Sequence, residues 1–148
     1  MAAAGAWVIH HKFLHRLGLK EINLSSDSLK CALFTSASNA ATLSVTDYAS
    51  LTNQVANANG YTTGGLTLAG VVWGESAGTV KITADDPIWT AAGGDITARY
   101  AVIYDDTHPN KAIIAHCLLD STPADLTATD GNTLKVDIDD TNGVFTGA

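Results

Sequence analysis

The segment that decides the fold is ITARYAVIY (Ile96–Tyr104), followed by the polar linker DDTHPN (Asp105–Asn110) and by KAIIAHCLL (Lys111–Leu119). Both apolar runs are short and rich in β-branched and aromatic residues, which is typical of strands buried on both faces. Because the linker contains Asp, Pro and Asn, we predict an antiparallel hairpin with a longer loop at the centre of a sheet. Arg99 lies inside the first strand, so we expect it either to face solvent or to be buried with a carboxylate partner.

Short strand-like segments continue on both sides of this hairpin, and Gly, Pro, Asn and Asp separate them. In SLKCALFT (residues 28–35), Leu29, Cys31 and Leu33 fall on one face of a strand. The other predicted strands are Leu66–Trp73, Thr79–Ala84, Pro87–Thr90, Thr133–Asp139 and Val144–Thr146. This spacing indicates a mainly β fold, an antiparallel β-sandwich or barrel-like domain, rather than alternating βαβ units.

Helical spacing is concentrated near the N-terminus. Residues 5–19 (GAWVIHHKFLHRLGL) place apolar side chains at approximately i, i+3, i+4 and i+7, and Gly18 is a suitable C-terminal stop. The apolar residues of this predicted helix are Trp7, Phe13, Leu14 and Leu17, whereas Val8 and Ile9 would also suit a strand. One further short helix is predicted at Thr46–Asn53, with Thr46 as its N-cap.

Composition limits the classes of protein that the chain can form. It has 148 residues, of which 46% are hydrophobic and 16% charged, so we expect a folded domain rather than a disordered chain. No stretch of about 18 consecutive apolar residues is present, and we therefore predict no transmembrane helix and no membrane partner. The net charge of -7 argues against nucleic acid as a partner.

The charge is unevenly distributed. Residues 1–30 carry four basic and two acidic side chains, a balance of +2, whereas the rest of the chain carries four basic and thirteen acidic ones, a balance of -9. We therefore divide the chain into an N-terminal helix or arm over residues 1–24 and a single β-rich domain over residues 25–148.

No residue pattern that is typical of an enzyme occurs, and we predict a non-enzymatic protein. A GxSxG nucleophile motif is absent from the sequence. His116 and Asp120 lie on or beside one predicted strand, four residues apart, which separates them by about 13 Å, so we interpret His116 as a structural histidine. Cys31 and Cys117 lie in apolar runs and are interpreted as reduced core cysteines.

The residue patterns that could bind a metal ion are not specific either. DIDDTNG (Asp137–Gly143) resembles a calcium loop, but its Gly falls at position seven instead of six, so we favour a polar turn. His11 and His15 have the i, i+4 spacing of a helical metal site without the Glu of a HExxH motif, and we favour a polar helix face. We predict no metal and no cofactor.

The three tryptophans of the chain leave carbohydrate binding open as an alternative function. Trp7, Trp73 and Trp89 could stack on sugars in a carbohydrate-binding β-module, although tryptophans in a small β-domain more often belong to the core or to an interface. An exposed Trp73 or Trp89 beside Asp and Asn side chains would favour the sugar-binding alternative.

Several strand and turn segments, taken in their order along the chain, resemble those of a known group of proteins. They are SLKCALFTSASNA from Ser28, YASLTN from Tyr48, NGYTTGG from Asn59, DPIWTAAGGDITARYAVIY from Asp86, ADLTATDGNTL from Ala124 and GVF from Gly143. With this order, residues 10–146 resemble a group of small virion proteins encoded in the structural gene modules of tailed bacteriophages.

The resemblance implies a β-sandwich-like protein located in the virion, whose role is association rather than turnover. It implies a capsid decoration or cement protein bound to the major capsid protein, and the alternative is a neck, tail or fibre-attachment component. Because such a protein recognises a repeated lattice, a homo-oligomer is expected, for which a trimer is a plausible symmetry.

The N-terminal segment is the candidate for attachment, since it is basic and carries apolar anchors. We predict Trp7, His11, Lys12, Phe13 and Arg16 as partner-binding residues. We expect deletion of residues 1–17 to leave a folded β-domain that no longer binds particles. The alternative is that the segment covers an open edge of its own sheet.

Overall fold

The computed structural model describes residues 4–147; the first three residues of the predicted arm and the last residue of the predicted β-rich domain lie outside this range. The elements are β1 (Val8–Ile9), α1 (Phe13–Gly18), β2 (Leu29–Phe34), a 3-10 turn (Tyr48–Ser50), β3 (Leu66–Thr67), β4 (Val72–Ser76), β5 (Thr79–Thr83), β6 (Ile88–Thr90), β7 (Ile96–Ala98), β8 (Tyr100–Asp105), β9 (Ile113–Leu118), β10 (Leu126–Ala128), β11 (Thr133–Lys135) and β12 (Phe145–Gly147). The described chain is mainly β, with antiparallel sheets and one short α-helix, and the prediction of a β-sandwich-like domain is confirmed.

The predicted hairpin forms the centre of the largest sheet. Its five strands have the order β1-β9-β8-β2-β3, and all of their pairings are antiparallel. Within β8 and β9 every residue except Tyr100 and Leu118 is buried. Because both faces of these strands are covered, their sequences are mostly apolar instead of alternating, with Asp105 and His116 as buried polar exceptions.

Side chains of β2 point alternately to the two faces of this sheet, which carry different hydrophobic clusters. Leu29, Cys31 and Leu33 belong to the large hydrophobic core, as their predicted common face requires. Ala32 and Phe34 point to a second, smaller cluster on the opposite face. That cluster is covered by half-buried side chains of the long segment after β2, namely Val45, Tyr48 and Leu51.

Three smaller sheets accompany the main one. They pair β10 with β7, β11 with β6, and β12 with β5 and β4 in the order β12-β5-β4. Buried residues of these strands, including Ile82, Trp89, Ile96 and Leu134, join the large core. The main sheet is therefore packed on one face by other strands and on the other by a loop.

Arg99 divides the strand predicted at Ile96–Tyr104. Its N–H donates to the carbonyl of Phe34 (2.8 Å), and its Nε donates to Asp125 Oδ1 (2.8 Å). The residues before Arg99 pair with β10, whereas those after it remain in the main sheet. Arg99 is half-buried and has the carboxylate partner that the sequence analysis gave as one of two alternatives.

The helix predicted over residues 5–19 is wrong in its first half. The β-branched Val8 and Ile9 pair with β9 at His116 and Ala115, and α1 begins only at Phe13. This arrangement satisfies the free edge of β9, which an N-terminal helix could not do. Lys12, with φ 69°, makes the change from strand to helix.

Two other boundaries differ from the predictions. Leu66–Trp73 forms two strands instead of one, because Gly70 interrupts the extended chain with φ 62°. The helix predicted at Thr46–Asn53 is reduced to the 3-10 turn Tyr48–Ser50. The strand β10 was not predicted, since its three residues are too few to show an alternating pattern.

Candidate interaction surface

The N-terminal segment is anchored to the body by apolar packing. The Phe13 side chain has no exposed surface, and its ring packs edge-to-face against Phe145 with centroids 5.7 Å apart. Leu17, on the same side of α1, also packs against the large core. Deleting residues 1–17 would therefore remove β1 and a core phenylalanine, and the truncation is a poor test of partner binding.

Arg16 provides a polar anchor for the same segment. Its guanidinium is buried, and it donates to the carbonyl of Thr46 (2.9 Å) and to Asp47 Oδ1 (2.8 Å). Glu21 lies 3.8 Å from its Nε. Because these groups compensate the charge, Arg16 acts inside the fold, where burial of an unpaired guanidinium would be costly.

A buried histidine pair connects β1 to β9. A carbonyl oxygen accepts only, so Nδ1 of His10 carries its proton and donates to Val45 O (2.7 Å). Nε2 of His10 then accepts from Nδ1–H of His116 (2.9 Å), and both rings are neutral. Burial lowers the pKa of His10, and burial together with the neighbouring His10 lowers the pKa of His116 to about 4. His116 is thus a structural histidine, in agreement with its interpretation from sequence.

The opposite side of the segment faces solvent. Leu14 is 51% exposed and Leu19 is 54% exposed, although the helical spacing placed Leu14 on the apolar inner face. The exposed residues around them are polar or basic. We define the N-terminal face as His11, Lys12, Leu14, His15, Leu19 and Lys20, all of which are exposed.

The five predicted partner-binding residues therefore differ in exposure, and only some of them lie on the surface. His11 and Lys12 are exposed, and Trp7 is half-buried against the core. Phe13 and Arg16 are buried and already engaged, so in this fold they position the segment instead of presenting a surface. Leu14 and Leu19 were not predicted as surface residues: the apolar spacing grouped Leu14 with Phe13 and Leu17, but only Phe13 and Leu17 pack against the core, and Leu19 lies beyond α1.

Residues near both ends of the described chain enclose a groove of about 810 Å³, which we call the terminal groove. It is lined by residues 4–7, Ile9, Asp137 and residues 139–146. Asp137, Asp139 and Asp140 are exposed at this groove, and none of the described residues that line it is basic. The groove thus combines apolar side chains with a negative rim.

The segment Asp137–Gly143 is organised as a turn. Asp139 accepts from the N–H of Thr141 (2.7 Å) and from Nδ2 of Asn142 (3.0 Å), which lowers the pKa of its carboxyl. Lys81 donates to the carbonyl oxygens of Asp140 and Thr141 (3.1 Å each). The Asp139 side chain and Lys81 therefore stabilise the polar turn that was favoured from sequence over a calcium loop.

Asp105 is a fully buried carboxyl at the end of β8. Its Oδ1 accepts from the N–H groups of Thr107 (2.9 Å) and His108 (3.2 Å), whereas Oδ2 has no hydrogen-bond partner among the described residues. Burial and the neighbouring Asp27 raise the pKa of this carboxyl well above its usual value. His108 in turn donates to Glu21 Oε2 (3.3 Å), so its ring also has a structural role.

The remaining chemical candidates are dispersed. Within residues 4–147 no three His, Cys, Asp or Glu side chains are grouped so as to hold a metal ion. His11 precedes α1, so His11 and His15 do not have the helical i, i+4 geometry. Cys31 and Cys117 are free and buried, as interpreted from sequence.

The tryptophans do not form an exposed platform. Trp89 is buried, and the half-buried Trp73 stacks on Phe145 with ring centroids 6.4 Å apart. Neither Trp73 nor Trp89 is exposed, so the exposed tryptophan that would favour sugar binding is not found at either position.

Comparisons with known proteins give no relative. No protein-family model matches this sequence, no curated protein matches it, and no solved structure matches it. No helix in the described part of the chain has the length and apolar character needed to cross a membrane.

Proposed function

We propose that this protein is a non-enzymatic structural component of a tailed-bacteriophage virion, which binds the outer surface of the head shell as a decoration or cement protein. The resemblance of residues 10–146 to small virion proteins supports the proposal. The observation that carries it is the N-terminal face, where Leu14 on α1 and Leu19 at the C-terminal cap of α1 are exposed, and where Phe13 and Arg16 hold the helix in place. An anchored segment with exposed leucines presents apolar surface without a large ordering cost on binding.

The N-terminal face also indicates the chemistry of the partner. Lys12 and Lys20 are exposed beside the two leucines, and the body of the chain is acidic. We propose that the partner is the major capsid protein, through a surface that is apolar and acidic. Screening of the lysine contacts by salt would then weaken binding partially, whereas the apolar contribution of the leucines would persist.

Co-sedimentation with empty head shells of the phage that encodes the protein tests this proposal. Full burial of a leucine is worth about 1.5–3 kcal/mol, so half-exposed Leu14 and Leu19 together offer about 2 kcal/mol. We expect the double variant Leu14→Asp/Leu19→Asp to bind at least about 30-fold more weakly than the native protein. The matched control is Ile88→Asp, which changes a similarly exposed residue of β6.

The outcomes separate the candidate roles. Unchanged shell binding of the double variant would contradict the assignment of the N-terminal face. Retention of the native protein on purified tails or necks, with none on shells, would favour the alternative of a neck, tail or fibre-attachment component. Light scattering of the purified protein tests the proposed homo-oligomer and distinguishes a trimer from other states.

A further inference from the structure

We propose that the terminal groove binds an extended, positively charged peptide segment of a partner protein, which adds a β-strand along β1. This inference goes beyond the proposed function and uses a different surface from the N-terminal face. The groove lies between β1, the outer strand of the main sheet, and β12, the outer strand of a second sheet. Two outer strands that border one groove offer main-chain hydrogen bonds to an extended occupant.

The register of β1 shows which backbone groups are available. Val8 lies directly opposite His116, and His10 N–H donates to Ile114 O (3.0 Å). In an antiparallel pair the hydrogen-bonding direction alternates along the strand, so the N–H and C=O of Ile9 point away from β9. Ile9 also lines the groove, and we infer that a strand lying in the groove pairs with these two backbone groups. The next outward-facing amide, that of His11, already donates to Leu43 O (3.0 Å), so the added strand pairs with Ile9 and the residues before it.

The side chains of the groove suit an extended peptide. Trp7, Ile9 and Phe145 line it and are half-buried, so each keeps apolar surface that a ligand can cover. Alternate side chains of an added strand point to one face and can contact this apolar surface. Exposed outer strands are often protected by a Lys or Pro residue, and β1 contains neither.

The charge of the rim selects the sign of the occupant. Asp137 and Asp140 are exposed, and no ion pair involves their carboxylates among the described residues. The nearby Lys81 is engaged with main-chain carbonyl oxygens of the turn. A peptide that alternates apolar residues with Lys or Arg therefore complements both the apolar wall and the carboxylates.

Selection from a display library of random 12-residue peptides tests the proposal on the full-length protein. We expect enriched peptides to carry Lys or Arg in alternation with apolar residues. A selected peptide should slow the hydrogen exchange of the Ile9 amide by at least about tenfold, because that amide becomes hydrogen-bonded. The same peptide, N-methylated at alternate backbone nitrogens, should lose binding, since it can no longer donate to the edge of β1.

A charge-matched pair of variants tests the rim. We expect Asp137→Asn/Asp140→Asn to weaken binding of the selected peptide about three- to tenfold, in keeping with two exposed ion pairs. The control is Asp85→Asn, which removes an exposed carboxylate that does not line the groove and should leave binding unchanged.

The inference is overturned if selection enriches no peptide, if enriched peptides are acidic, or if the protected amides lie away from β1. Equal binding of the N-methylated peptide would also overturn it. These results leave the proposed capsid role in place, because that role is measured with head shells and with Leu14 and Leu19.

Discussion

Acidification will remove the contribution that the buried, neutral His116 makes to the stability of the fold. Burial and His10 lower the pKa of His116 to about 4, whereas the unfolded chain has the ordinary value of 6.5. Because the folded protein favours the neutral ring, this contribution to stability is complete above pH 6.5 and is lost as the pH falls towards 4. From pH 7.5 to pH 4.5 the free energy of unfolding should decrease by about 2.5 kcal/mol through His116 alone.

A second group acts in the opposite direction and must be separated. The raised pKa of Asp105 means that its contribution is complete below the ordinary carboxyl pKa of 3.8 and is lost as the pH rises. The pH curve of the native protein is therefore a sum. His116→Asn removes only the titration of His116, since the Asn amide can donate to His10 Nε2 as the imidazole N–H does.

Urea denaturation followed by tryptophan fluorescence gives the required free energies at pH 7.5, 6.0 and 4.5 in constant salt. The native protein should lose about 2.5 kcal/mol more than His116→Asn between the outer pH values, and Asp105 contributes equally to both curves. If the two proteins lose the same free energy, burial of a neutral His116 does not control the acid response, and the reasoning fails.

Three further predictions concern stability and are measured by the same denaturation experiment. Phe13→Ala should cost about 3–5 kcal/mol, because it leaves a cavity beside Phe145; a change below 1 kcal/mol would show that the N-terminal segment is not part of the core. Gly65→Ala should prevent folding or cost several kcal/mol, since φ is 79° and the added Cβ would lie 1.9 Å from a carbonyl oxygen of β2. Gly78→Ala is the control: its φ is 86° but the space around it is open, so it should cost about 1 kcal/mol, and equal costs for the two variants would contradict a close approach of β2 to Gly65. Tyr104→Phe should cost about 1–2 kcal/mol, because its hydroxyl donates to the buried Gly64 carbonyl at 2.7 Å; a neutral result would indicate that water replaces the hydroxyl.

The two candidate surfaces, the N-terminal face and the terminal groove, were harder to predict from the sequence than the strands. The predicted helix starts eight residues before α1, because Trp7 was included in the helical spacing although Val8 and Ile9 also suit a strand. Which side of α1 is exposed depends on packing, since Phe13 and Leu17 contact the core whereas Leu14 faces solvent. The terminal groove joins residues 4–9 to residues 137–146, which are far apart along the chain. No local periodicity reports such a distant contact, since hydropathy patterns show which face of an element is buried but not which element covers it.

What the sequence determined by itself is the mainly β architecture and its central hairpin. Apolar runs of strand length separated by turn residues dictate this, because each strand must bury its apolar side chains and the linker favours a turn. Only the tertiary structure decided that β1 completes the edge of β9, that Arg99 divides a strand, and that His10 meets His116. The physical reason is that these features satisfy backbone and side-chain polar groups across long sequence separations, and their partners are defined only once the chain has packed.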